Sequence, residues 1–160
     1  HFQQTLTTQT GDLLRLPNLM VRIEIPNHER CRQLMQLKGV GAMTASALVS
    51  AIADGKEFSN GRQLAAWLGL TPSQYSSGGK QKLGRITKAG DNYIRSLLVQ
   101  GARSIMASAE RKEDPLSKWV CDVKDRRGYW RAAIALAAKN ARHCWAILHY
   151  GESFESYYST

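Results

Sequence analysis

Apolar residues recur at helical spacing along most of this chain, and the breaks between stripes fall at glycine, proline or capping residues. In ERCRQLMQL, from Glu29 onward, Cys31, Leu34 and Met35 fall on one helical face with Leu37 at its margin. Gly39-Val40-Gly41 interrupts that stripe. MTASALVSAIAD then resumes it, with Ala45, Leu48, Val49 and Ile52 together. A third helix is predicted through GRQLAAWLGL, capped by Ser59 or Asn60, with Leu64, Trp67 and Leu68 as its buried stripe. Asp91 caps a long helix, NYIRSLLVQGARSIMASA. Its set Ile94, Leu97, Leu98, Gly101, Ala102, Ile105 and Met106 is strongly amphipathic, and the small residues at 101 and 102 allow another helix close. Asp114-Pro115 reads as an N-cap followed by proline at the first helical position. The helix it starts buries Leu116, Trp119, Val120 and Val123 and ends at Arg127-Gly128. A last helix runs from about Tyr129 to Tyr150, with Trp130, Ile134, Ala137, Ala138, Ala141, Trp145 and Leu148 inward and Gly151 as its stop.

Two stretches lack this pattern. His1 to Asn27 is broken by Pro17 and Pro26 and reads as a short helix or two followed by a linker. Thr71 to Gly90 holds four glycines, three serines, one proline and four cations, with KLGRI as a brief strand-like segment. A loop of about 20 residues in a compact domain is functional or disordered more often than a mere connector. The expectation is an all-α fold: a helical domain containing a helix-hairpin-helix, with a long Gly-rich basic loop. Residues 1–30 form an N-terminal segment, 31–151 the domain and 152–160 a tail.

Charge sharpens this picture. In 160 residues, 22 Lys and Arg face 13 Asp and Glu, a formal +9, which favours a polyanionic partner. The 43% apolar fraction supports a real core. No apolar run approaches the roughly 20 residues of a spanning helix, so a membrane partner is not expected. Cys31, Cys121 and Cys144 are far apart and pair with no histidine at zinc spacing. They read as reduced thiols of a cytosolic protein. His143 and His149 suit a capping or surface role. The chain begins at His1, and a preceding segment carrying essential chemistry is expected.

Two segments carry candidate chemistry. In Leu37-Lys38-Gly39-Val40-Gly41 the glycines permit a tight turn, and the amides opening the next helix, with Thr44 in its first turn, can hold a backbone phosphate without reading bases. Val40 would plug the turn into the core. An ordinary helical corner would look the same. In Tyr75-Ser76-Ser77-Gly78-Gly79-Lys80, followed by Lys82, Arg85 and Lys88, no acid intervenes before Asp91. The cations can follow a phosphate backbone. A serine there could attack a phosphodiester, but no His or carboxylate lies near it in sequence. On residue types alone a turn-forming serine is the commoner case.

The run from LMQLKGVGAMTA through AAWLGLTPSQYSSG to ITKAGDNYIRSLL resembles the C-terminal transposase domain of bridge-RNA-guided, DEDD-type insertion-sequence transposases, relatives of the pilin-gene-inverting recombinase. The resemblance spans most of Cys31 to Tyr150. It implies DNA transposition by strand exchange through a phosphoserine, with double-stranded DNA and a guide RNA as partners. The full-length enzyme would be a homo-oligomer in the bacterial cytoplasm. The serine just before the glycine of a Tyr-x-Ser-Gly segment is then the nucleophile. That is Ser77, flanked by Tyr75 and Gly78, with Ser76 as substitute if the register differs by one. The resemblance also implies Mg²⁺ on carboxylates of an N-terminal half, so no cofactor is expected in this chain, which is expected to be inactive alone. Two readings from other classes stay open. One is a non-catalytic helix-hairpin-helix nucleic-acid-binding module, which needs Lys38, Gly39 and Gly41 but neither serine. The other is a helical protein whose basic face binds an acidic protein partner.

Overall fold

The structure, a computed structural model, describes residues 14–16, 19–21, 28–77, 80–86 and 91–151. Its packed body is all-helical. Among the described residues six helices occur: α1 (His28–Met35), α2 (Ala42–Ile52), α3 (Gly61–Trp67), α4 (Asn92–Ala109), α5 (Pro115–Arg127) and α6 (Tyr129–Tyr150). Two antiparallel pairs accompany them, β1 (Leu14–Leu16) with β2 (Leu19–Val21), and β3 (Pro72–Ser77) with β4 (Lys80–Ile86).

Helix starts follow side-chain chemistry. Asn60 accepts from the Gln63 amide at 3.0 Å, Asp91 from the Ile94 amide at 2.9 Å, and Asp114 from the Ser117 amide at 3.1 Å. Each satisfies an amide that the first turn leaves without an intrahelical partner. Pro115 occupies the first turn of α5, and Gly151 ends α6 in the left-handed region at φ 66°.

α6 is the central helix and packs against α1, α3, α4 and α5. Its second half, from Asn140 to Leu148, is buried almost around the full circumference, as expected of a helix surrounded by others. The core takes Leu34 from α1, Leu48 from α2, Leu64 from α3, Leu98 from α4, Val120 from α5 and Leu136 and Ile147 from α6, all essentially inaccessible. Each such leucine or isoleucine contributes about 1.5–3 kcal/mol by leaving water. Buried polar groups tie loops to this core. The Trp145 indole donates to the Gly55 carbonyl at 3.0 Å, and the Arg95 guanidinium donates to the Leu68 carbonyl at 3.1 Å.

Several expectations need correcting. Residues 14–16 and 19–21 form an antiparallel pair where a helix was expected. Leu14 opposes Val21 and Leu16 opposes Leu19, so the apolar period there is two. Trp67 is 40% exposed and leans on Phe58 at 5.6 Å between ring centroids, and Met35 is 46% exposed. Trp130, expected inward, is 62% exposed. His143, expected at the surface, is buried, and desolvation, followed by Lys139 and Arg142, lowers its pKa to about 4. The tail at 152–160 and most of residues 1–27 lie outside the described residues.

Candidate nucleic-acid interface

The helical corner begins where α1 runs out of hydrogen-bonding partners. Leu37 donates to Leu34 and Val40 to Leu37, tightening the chain into successive turns before Ala45 donates to the Gly41 carbonyl within α2. Val40 is buried and plugs the turn into the core.

The two glycines differ in what they face. Gly39 has φ 85°, which side chains disfavour. A β-carbon there would also lie 2.8 Å from Ile105 Cδ1 and 3.0 Å from the Gly101 carbonyl oxygen. The turn therefore rests on α4 at a glycine-to-glycine contact. A β-carbon on Gly101 would come within 1.9 Å of the Gly39 carbonyl oxygen. Gly39 thus owes its missing side chain to packing against α4. Gly41 is the opposite case. Its φ of −91° suits any residue, a β-carbon would meet nothing within 4 Å, and it caps α2 without a side-chain hydrogen bond. The open approach to the first amides of α2 is at Gly41.

Lys38 is held. Its ammonium lies 3.1 Å from Asp114 Oδ2, and its carbonyl accepts from Asn140 Nδ2 at 3.0 Å. Asp114 also accepts from the Ser117 hydroxyl at 2.7 Å, and that bond, with Lys38 contributing, lowers its carboxyl pKa to about 2. The pair pins the corner to the start of α5, although the Lys38 side chain remains 44% exposed. Thr44 is buried, so only its backbone amide is placed to meet a phosphate at this corner.

The stretch expected as an irregular loop carries the β3–β4 hairpin, and KLGRI, expected to be strand-like, lies within β4. Its pairing sets Ser77 opposite Lys80, Ser76 opposite Gln81, Tyr75 opposite Lys82 and Gln74 opposite Leu83, with an irregularity between Pro72 and Gln74. Residues directly opposite share a face, and successive residues alternate. Tyr75, Ser77, Lys80 and Lys82 therefore occupy one face, and Gln74, Ser76, Gln81 and Leu83 the other, with Arg85 beyond the irregularity that breaks this alternation. Ser77 and Ser76 are thereby separated, the first on a face with two lysines and the second on a face with no cation in the regular part of the pairing. Gly78 and Lys88 lie outside the described residues.

Among the described residues no group of three or more His, Cys, Asp or Glu could hold a metal ion. No helix of the described residues is long and apolar enough to cross a membrane. Reading the sequence missed one feature, a cluster of exposed aromatic and arginine residues where α5 meets α6. Its signal was the string Arg126-Arg127-Gly128-Tyr129-Trp130-Arg131, which alternates cations with large rings at a helix break.

Comparison with known proteins adds the following. The model of the family described as Transposase IS116/IS110/IS902 matches residues 31–116. The chain is 41% identical over 145 residues to a Pseudomonas aeruginosa protein described as a "probable family 20 transposase", covering 91% of this chain and 42% of that protein. It is 39% identical over 127 residues to the transposase for insertion sequence element IS1111A of Coxiella burnetii, covering 79% and 35%. It is also 39% identical over 135 residues to the transposase for insertion sequence element IS1328 of Yersinia enterocolitica, covering 82% and 40%. The chain thus spans about two-fifths or less of these relatives' lengths.

Proposed function

Because this chain belongs to the IS116/IS110/IS902 transposase family, we propose that it is the DNA-binding, serine-bearing part of a transposase that exchanges strands through a phosphoserine. The observation that carries the reading is the hairpin register, which pairs Ser77 with Lys80 and sets both on one face with Lys82 and Tyr75. A serine that shares a strand face with two lysines suits attack on a phosphodiester, since positive charge stabilises the charge developing on the phosphoryl oxygens. The face with Ser76 carries fewer cations, which favours Ser77.

In the proposed reaction, Ser77 Oγ attacks phosphorus and the bond from phosphorus to a sugar oxygen breaks. The serine gives up its proton and the departing oxygen gains one. One phosphodiester replaces another, so no nucleotide cofactor is consumed. The freed hydroxyl of a second strand then attacks the phosphoserine, and Ser77 leaves with its proton restored. The corner at Gly41 and the cations of β4 grip the backbone of double-stranded DNA, displacing counterions. Mg²⁺, which the family resemblance ascribes to carboxylates elsewhere in such enzymes, would supply charge stabilisation when bound. No described cluster fits it, and no step here runs through it. A guide RNA and a homo-oligomeric full-length enzyme are part of the same proposal.

The test uses the protein at its full genomic length with donor and target DNA. Ser77→Ala should abolish the covalent protein–DNA adduct, and Ser76→Ala should leave it. An adduct at the normal level in Ser77→Ala removes Ser77 from the mechanism. A non-catalytic binding module would give no adduct in any variant, yet its duplex affinity would still fall steeply with salt.

A further inference from the structure

We infer that the junction of α5 and α6 is a docking platform for unpaired nucleotides, with a base stacked on Trp130 and its phosphates on the surrounding arginines. This rests on the nucleic-acid role proposed above.

Trp130 and Tyr129, in the first turn of α6, are 62% and 39% exposed. Their rings meet edge to face with centroids 5.4 Å apart. Arg103, from α4, brings its guanidinium 5.2 Å from the Trp130 ring centroid and donates from Nε to the Tyr129 hydroxyl at 3.4 Å. The two rings are thus held in place from a neighbouring helix while much of the indole stays in water. Arg103, Arg126, Arg127 and Arg131 are all exposed, and none of them ion-pairs with a carboxylate among the described residues.

A solvated basic face has no need of an exposed indole, and a corner built only for packing would bury it. Held rings with the Arg103 guanidinium against them, and Arg126, Arg127 and Arg131 within four residues of Trp130 in the chain, offer groups for both halves of a nucleotide. The base offers a flat π-face to the ring, and the phosphate takes planar hydrogen bonds from arginine. A duplex keeps its bases stacked inside, so a side chain approaching it meets no free face. Trp, Tyr and Arg also serve protein interfaces. Here four exposed arginines with no carboxylate partner among the described residues, on a chain of net +9, favour a polyanion, and a second copy of this chain would bring the same charges against them.

The test is fluorescence anisotropy of the 160-residue chain with short labelled oligonucleotides of one sequence, as single-stranded RNA, single-stranded DNA and duplex DNA. Trp130→Ala should weaken single-strand binding about tenfold, within the range measured for loss of one base-stacking aromatic. Duplex affinity should stay within about twofold. Trp130→Phe should retain most single-strand binding, and Arg103→Gln should lose part of it. The arm with the larger loss, RNA or DNA, identifies the source of the unpaired nucleotides. Because Trp130 is exposed, the variant's thermal melt should match the parent's. Unchanged single-strand affinity in Trp130→Ala overturns the inference. So does an equal loss on duplex and single strand, or a variant whose only change is weaker self-association in sedimentation. A parent chain that binds neither form sinks the nucleic-acid role itself, a different failure from duplex binding with an indifferent Trp130.

Discussion

Replacing Gly101 by alanine puts a methyl group where the helical corner rests on α4. The added β-carbon would sit 1.9 Å from the Gly39 carbonyl oxygen and 2.9 Å from its carbonyl carbon. Both are backbone atoms that no rotamer change can move. Relief requires the turn and the helix to part by more than about 1 Å, and the separation reaches Val40, which plugs into the core beside them. Overpacking of this kind costs roughly 1–3 kcal/mol and occasionally more. Alanine's better helix propensity returns about 1 kcal/mol. A 1.9 Å approach to backbone puts the cost at the upper end of that range, about 3 kcal/mol, so the expected net loss is about 2 kcal/mol, a fall in Tm of about 4–8 °C for a domain of this size. Urea unfolding monitored by far-ultraviolet circular dichroism measures it, with Ser104→Ala on the exposed side of the same helix as control. The control should stay within about 0.5 kcal/mol of the parent. A Gly101→Ala protein as stable as the parent, or more stable, refutes the contact, because only the propensity gain would then remain.

Other expectations concern the interface and the buried groups. Gly41→Ala should fold with a loss below about 1 kcal/mol, because its β-carbon meets nothing. It should nonetheless bind duplex DNA more weakly in a filter-binding assay. Asp114→Ala should cost about 1–2 kcal/mol through the lost cap of α5 and release Lys38, leaving duplex affinity equal or higher. His143 has its pKa lowered from 6.5 to about 4 by burial, so the unfolded chain binds the proton more readily. Stability should therefore decline as pH falls through 6.5 and reach its full loss, about 3 kcal/mol, below about 4. Urea melts at several pH values check this, and His143→Gln should flatten the dependence in that window. Burial pushes the Cys144 thiol up to about 12, so Cys144 should resist alkylation in the folded protein while the half-buried Cys121 reacts.

The helical stripes were legible because burial on one side leaves a 3.6-residue period. Ala45, Leu48, Val49 and Ile52 of α2 and Ile94, Leu98, Ala102 and Met106 of α4 are buried as their spacing requires. Capping by Asn60, Asp91 and Asp114 was equally readable, since each is a short polar acceptor at the edge of a stripe. Trp130 shows where periodicity stops informing. It continues the stripe of Ile134, but spacing does not say how far neighbouring helices extend along α6, and the Trp130 ring at its start is left largely in water. The opposite error at His143 arises because the second half of α6 is enclosed on nearly all sides, so that no polar face remains to be recognised. KLGRI of β4 was read as strand-like, but β3 was read as loop because TPSQYSS is polar at both alternating sets, which leaves no period-two signal. Ser77 stood out only through the resemblance of its surrounding motif. Its pairing with Lys80 is a property of backbone register.

The most direct measurement is the identity of the residue joined to DNA. The full-length transposase, stalled on target DNA that lacks the attacking second strand, is denatured, digested and sequenced by tandem mass spectrometry. The account predicts a nucleotide phosphate on Ser77, in the peptide that also contains Tyr75. A phosphate on Ser76 or on a residue outside the hairpin, or cleaved DNA with no linkage to protein, contradicts it.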